Sequence, residues 1–324
     1  MPSQDDILAA CVILGLSAAA FFPYLVASAA VYRVRKLTKN PFYLLLFALG
    51  ISDSTMLGLF LFYATTATFL QRSPFGDSFD ALFCGTLCNI TYFTSLALLC
   101  NIALNRYFAI CSKTLSKKVH DKRKIKIIIF GCLVYGITSA IAQMTPCCSL
   151  RYFEADYTFG YDMDLDGNAV YVWYDRASNM VTFLTLVVCY GLVFKKVRTA
   201  RNAANPSSLP QSENRQKSDV RLALQSALVA SLMITFGLGF TIIPLLASNK
   251  WWNLLSSILY IAAIGVHPFV YIGFNMQIRH QAAGSLRCKS IIESTNAEPS
   301  MVTTAITTRG IGERTKGVAF VEVG

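Results

Sequence analysis

The chain has 324 residues, of which 54% are hydrophobic and only 15% charged, with a mean hydropathy of +0.47. A soluble domain carries roughly a quarter charged residues, so this chain has too few to cover a water-soluble globule of its size. The formal net charge of +11 does not point to nucleic acid: the basic residues fall in short runs between long apolar blocks, as membrane topology demands, and no nucleic-acid partner is expected.

Seven apolar blocks are long enough to cross a bilayer. In hydrocarbon each backbone N–H and C=O must be bonded within its own segment, so each block is predicted to be a helix. The first covers residues 7–31, after a short polar N-terminus at 1–6 with Asp5 and Asp6. Basic Arg33, Arg35 and Lys36 follow it, so it reads as a retained span and not as a cleaved leader. The second covers 41–70 and carries Asp53 within LGISDS. A charge at that depth costs roughly 2.5–3.5 kcal/mol, so Asp53 is expected to face the bundle interior, find a polar partner and form a hub able to hold a sodium ion or a proton. No other metal and no cofactor is expected.

The third helix, 79–110, runs from Cys84 near one end to Asn105-Arg106-Tyr107 at the other. An arginine there either snorkels to the interface or lies buried and changes partners between two packings. The fourth covers 125–144, and Cys147 and Cys148 follow it. The stretch 149–170 holds Glu154, Asp156, Asp162, Asp164 and Asp166 and reads as a solvated loop. The fifth helix, 171–194, opens with Asp175 and Arg176, which adjoin apolar residues and are candidates for a ligand pocket. The polar linker 201–219 precedes the sixth helix, 222–247, where Gly237, Gly239 and Pro244 make a hinge. The seventh, 252–274, ends in His267-Pro268-Phe269-Val270-Tyr271. Its proline frees a backbone carbonyl, and Tyr271 shares a helix face with His267. The following FNMQIRHQ reads as a short interfacial helix, and the tail 281–324 is expected to be disordered.

Loop charge sets the orientation. The first, third and fifth links are basic, as in Arg33 to Lys39, Lys113 to Lys126 and Lys195 to Arg221, whereas the links between them are not. The positive-inside rule then predicts a multi-pass plasma-membrane protein with its N-terminus outside and its C-terminus in the cytoplasm. Cys84, Cys147 and Cys148 share the oxidising side, so a bridge from Cys84 to one of the other two is expected, with either partner open.

In chain order, Asp53, Cys84, Asn105-Arg106-Tyr107, Pro244 and His267-Pro268-Phe269-Val270-Tyr271 resemble the motif positions of the rhodopsin-like receptor superfamily, over about residues 7–280. They stand where that superfamily has its second-helix aspartate, third-helix cysteine, D/E-R-Y, sixth-helix proline and N-P-x-x-Y. The departures are Asn105 for the acid, His267 for the asparagine and Ile242 for the sixth-helix tryptophan, with the fourth-helix tryptophan and first-helix G-N pair also missing. This pattern is most similar to nematode serpentine chemoreceptors of class X, with classes T and V as alternatives. The resemblance implies an all-α bundle of seven transmembrane helices with a short cytoplasmic interfacial helix, working as a receptor and not as an enzyme. A small-molecule ligand would bind near Tyr92, Asp175, Arg176, Ile242 and Tyr260, and a heterotrimeric G protein would dock beside Arg106. The rivals are a transporter or channel, for which an internal repeat is missing, and a peptide-binding receptor of the same superfamily.

Overall fold

The computed structural model describes residues 2–38, 41–76, 81–112, 114–115, 119, 121–145, 147–202, 249–275 and 278–284, with short pieces between 227 and 243. Among these residues, six helices are long and apolar enough to cross a membrane. They are α1 (Gln4–Thr38), α2 (Pro41–Leu70), α3 (Thr86–Cys111), α4 (Lys122–Ala140), α5 (Asp166–Asn202) and α6 (Lys250–Phe274). A π-helical stretch, Leu59–Ala64, interrupts α2. Another, Ala81–Gly85, leads into α3, and a 3-10 turn, Ile141–Met144, extends α4.

The predicted second and seventh helices match α2 and α6 within two residues. Helices α1 and α5 run well past their predicted ends, because polar residues at a membrane surface do not stop a helix. The predicted sixth helix lies largely outside the described residues, Gly237 and Pro244 included, although 227–228, 230–232, 234–235, 238–239 and 242–243 are helical. Most of the polar linker, and the tail from 285 on, are also outside them. Residues Met1–Ser285 form one compact unit.

Helix α3 packs against α2, α4 and α5, while α1 packs against α2 and α6. With lipid as solvent, no hydrophobic force draws helices together, so close approach depends on small residues. At Gly136 an added methyl would overlap Thr94 and the Ile90 carbonyl of α3, and at Gly265 it would lie 2.7 Å from Cβ of Ala20 on α1. Two large apolar clusters fill most of the interior, with a smaller one around Ala103 and Leu186 beside them. One, around Ile13, Met56, Phe60, Tyr63 and Ile264, sits at the end of the bundle that holds the start of α1. The other, around Val34, Leu45, Leu49, Leu98, Ile102 and Tyr271, sits at the opposite end, where the short helix 278–284 docks Ile278 and Ala282. Large apolar side chains such as Phe62, Ile127, Phe130, Leu184 and Phe194 point outward, which water would penalise and hydrocarbon does not.

Two expectations are corrected. The stretch 149–170 is not simply a solvated loop. Strands β1 (Leu150–Phe153) and β2 (Thr158–Tyr161) form an antiparallel hairpin pairing Leu150 with Tyr161 and Phe153 with Thr158. Its alternating apolar residues, Leu150 and Tyr152, are buried in the bundle mouth, and Tyr157 closes the turn at 0% exposure. The expected bridge from Cys84 is also replaced. The disulfide joins Cys147 to Cys148, chain neighbours with Cα atoms 3.8 Å apart, while Cys84 is buried in the apolar cluster with Cys88 and Leu150.

The glycine packing makes a paired prediction. Gly265→Ala should destabilise the protein by about 1–3 kcal/mol through overpacking. Gly273→Ala on the same helix meets nothing within 4 Å and should be neutral or slightly stabilising. Thermal unfolding in detergent checks this, and equal effects at the two sites would refute the close α1–α6 contact.

Candidate functional site

Four helices converge on one carboxylate. Asp53 of α2 is 2% exposed, so its charge needs donors from inside the protein. Its Oδ2 accepts the Tyr24 hydroxyl of α1 at 2.6 Å and faces Nδ1 of His267 on α6 at 2.9 Å. Its Oδ1 accepts the Ser95 hydroxyl of α3 at 2.8 Å. Nε2 of His267 is buried and has no hydrogen-bond partner among the described residues. The neutral tautomer with its proton on Nδ1 therefore suits this packing: it donates to Asp53 and leaves no buried N–H unanswered.

A second site lies at the far end of α3. Asn105 and Arg106 are buried, and the guanidinium carbon of Arg106 is 3.2 Å from the ring centre of Phe42 on α2. A planar guanidinium stacks well on an aromatic face. Neutral Asn105 offers it no charge partner. Tyr107 packs beside Leu186, Cys189 and Ala230. Pro268 is buried inside α6, which continues to Phe274, and Tyr271 is buried with its ring centre 6.0 Å from that of His267. Past α6, the amide nitrogen of Asn275 donates to Tyr43 at 3.1 Å, and its carbonyl oxygen accepts the Ile278 backbone N–H at 3.3 Å.

The third site is a cavity of about 320 Å³ among α2, α3, α5 and α6. The hairpin roofs it with Leu150, Phe159 and Tyr161, and Phe60, Tyr92 and Tyr260 line it from the helices. Ring centres lie 5.4 Å apart for Phe60 and Phe159, 5.9 Å for Phe60 and Tyr260, and 6.2 Å for Tyr92 and Tyr260. Asp175 stands on the α5 wall. Asn179, one turn further, donates to its Oδ1 at 2.8 Å and also meets the Tyr92 hydroxyl. Arg176 reaches the lining but is exposed, with its guanidinium carbon 5.5 Å from the ring centre of Trp173. Ile242, expected in the pocket, is 45% exposed and is not among the lining residues. Pro244 lies outside the described residues.

Two contacts pin the roof to the helix ends. The Tyr157 hydroxyl donates to Oδ1 of Asp6 at 2.5 Å, and Nζ of Lys250 meets Oδ2 of Asp5 at 2.6 Å. Burial, and the bond to Asp6, push the Tyr157 phenol up to about 12, so it remains a donor at physiological pH. Burial and the charge of Asp175 likewise raise the Tyr161 phenol. Phe159, Tyr161 and Asn179 did not stand out in the sequence. The i to i+4 spacing from Asp175 to Asn179 was the available signal for the last.

The cavity roofed by a hairpin, the buried polar hub below it and the buried arginine at the far end all lie within one bundle of long apolar helices. The structure aligns with the crystal structure of squid rhodopsin at a TM-score of 0.74, covering 93% of each chain at 16% identity, which shows a shared fold. The family model of the serpentine type 7TM GPCR chemoreceptor Srx matches residues 19–275, and the chain belongs to that family. No curated protein matches it.

Tyr157→Phe should loosen the roof. Loss of a hydrogen bond to a carboxylate costs about 1.5–3 kcal/mol when buried, and less here because Asp6 is near solvent. Amides 150–161 should exchange with deuterium faster than in the parent protein. Unchanged exchange would show that the phenol is not an anchor.

Proposed function

We propose that the chain is a chemosensory receptor of the plasma membrane. A small molecule enters the cavity from outside and shifts the balance between two helix packings, and a heterotrimeric G protein docks at the cytoplasmic end beside Arg106. One observation carries this reading: the same two helices hold all three sites. Along α3 come Tyr92 of the cavity, Ser95 of the hub and then Arg106. Along α6 come Tyr260 of the cavity, His267 of the hub and then Tyr271. At about 1.5 Å of rise per residue, a small rotation of either helix at the cavity reaches the hub within one or two turns. A ligand drives such a shift only if it binds one packing better than the other.

The orientation rests on charge. Arg33, Arg123, Lys124, Lys126, Lys195, Lys196 and Arg198 all belong to the Arg106 end, whereas Glu154, Asp156, Asp164 and Asp166 belong to the hairpin end. The positive-inside rule makes the first end cytoplasmic, with the helix 278–284 lying along that surface. At the hub, the packing disfavours a sodium ion. A hard cation wants a shell of oxygens, and here the His267 nitrogen already takes the Oδ2 side of Asp53.

A ligand screen with a second-messenger readout, in cells expressing the chain, supplies the agonist for the test. Arg106→Ala should then abolish the agonist response at matched surface expression. An unchanged response in that variant would overturn the coupling role.

A further inference from the structure

We infer that the cavity takes a small organic cation, an amine whose ammonium rests against Asp175 while its apolar body lies among Tyr92, Tyr260 and Phe159. This rests on the reading of the cavity as the ligand site. Asp175 is the acid among the lining residues, and among the described residues no lysine, arginine or histidine nitrogen lies within 4.0 Å of its carboxylate. Its partners there are the neutral donors Asn179 and Tyr92. A carboxylate held inside a protein without an ion-pair partner attracts a cation strongly, because little water screens it. Among the described lining residues the one basic side chain, Arg176, stays exposed beside the outward-facing Trp173; its charge is felt at Asp175 but it forms no ion pair with it.

The aromatic walls suit the same ligand. Faces of tyrosine and phenylalanine attract an ammonium within about 6 Å, and more so once it is desolvated. Around the mouth, Arg151 is engaged by Asp162 at 3.1 Å, and Lys250 by Asp5 at 2.6 Å. Asp164 and Asp166 remain exposed, leaving a negative field that draws cations in and turns carboxylates away. A volume of about 320 Å³ stands at the small end of ligand pockets, so the amine must be small.

The test uses the purified full chain in lipid nanodiscs and a panel of phenylalkylamines from benzylamine to 4-phenylbutylamine, with matched alcohols and carboxylates. Thermal shift gives apparent affinities for the parent, Asp175→Asn, Arg176→Gln and Tyr260→Ala. Amines should bind and the matched alcohols should bind at least about tenfold more weakly, a comparison that needs no variant to fold. Asp175→Asn should cost the amines about tenfold or more, Tyr260→Ala should weaken them as well, and Arg176→Gln should not. Carboxylates that bind better than amines and depend on Arg176 and Tyr260 would overturn the cation while keeping the cavity as the ligand site. Amine binding insensitive to both Asp175→Asn and Tyr260→Ala would overturn the site itself, and absence of any amine binding would overturn the inference.

Discussion

A carboxylate cannot sit among apolar helices unless other side chains answer it, and Asp53 is answered from three directions. Tyr24, Ser95 and His267 come from α1, α3 and α6 and meet it within 2.9 Å. Each bond ties a separate helix to α2. The apolar clusters above and below the hub could slide, since methyl groups pack in many registers. A carboxylate with three named donors cannot. The hub therefore sets the register in which the cavity forms on one side and Arg106 meets Phe42 on the other.

The departures from the rhodopsin-like motifs gain a physical meaning in this setting. With Asn105 in place of an acid, Arg106 has no acid at the preceding position, and its guanidinium is buried against the ring of Phe42. With His267 in place of asparagine, the hub contains its own nitrogen donor. In the proposed mechanism these changes replace an ion-pair lock and a cation-filled hub by contacts internal to the chain.

Much of this was legible in the sequence, for reasons of solvent. Lipid forces long unbroken apolar runs, and those runs place α2 and α6 to within two residues. The cost of a buried charge marks Asp53, though not its partners: Tyr24 lies 29 positions away and His267 lies 214 away. The hairpin was harder to see. Leu150, Tyr152, Phe159 and Tyr161 alternate with polar residues over short stretches, and the five acids around them read as a wet loop. The vicinal Cys147–Cys148 bridge was hidden because the shared oxidising side marks all three cysteines alike. The pocket residues divide in the same way. Asp175, Tyr92 and Tyr260 line the cavity, whereas Ile242, picked by motif position alone, faces outward.

A double-mutant cycle on the hub tests the central claim most directly. Asp53→Asn, His267→Gln and the double variant would be compared by unfolding of the purified protein in detergent. The account predicts coupling between the two sites of about 1 kcal/mol or more, with the double variant well short of the sum of the singles. Effects that add to within about 0.3–0.5 kcal/mol would mean that the two side chains do not depend on each other, and would contradict it.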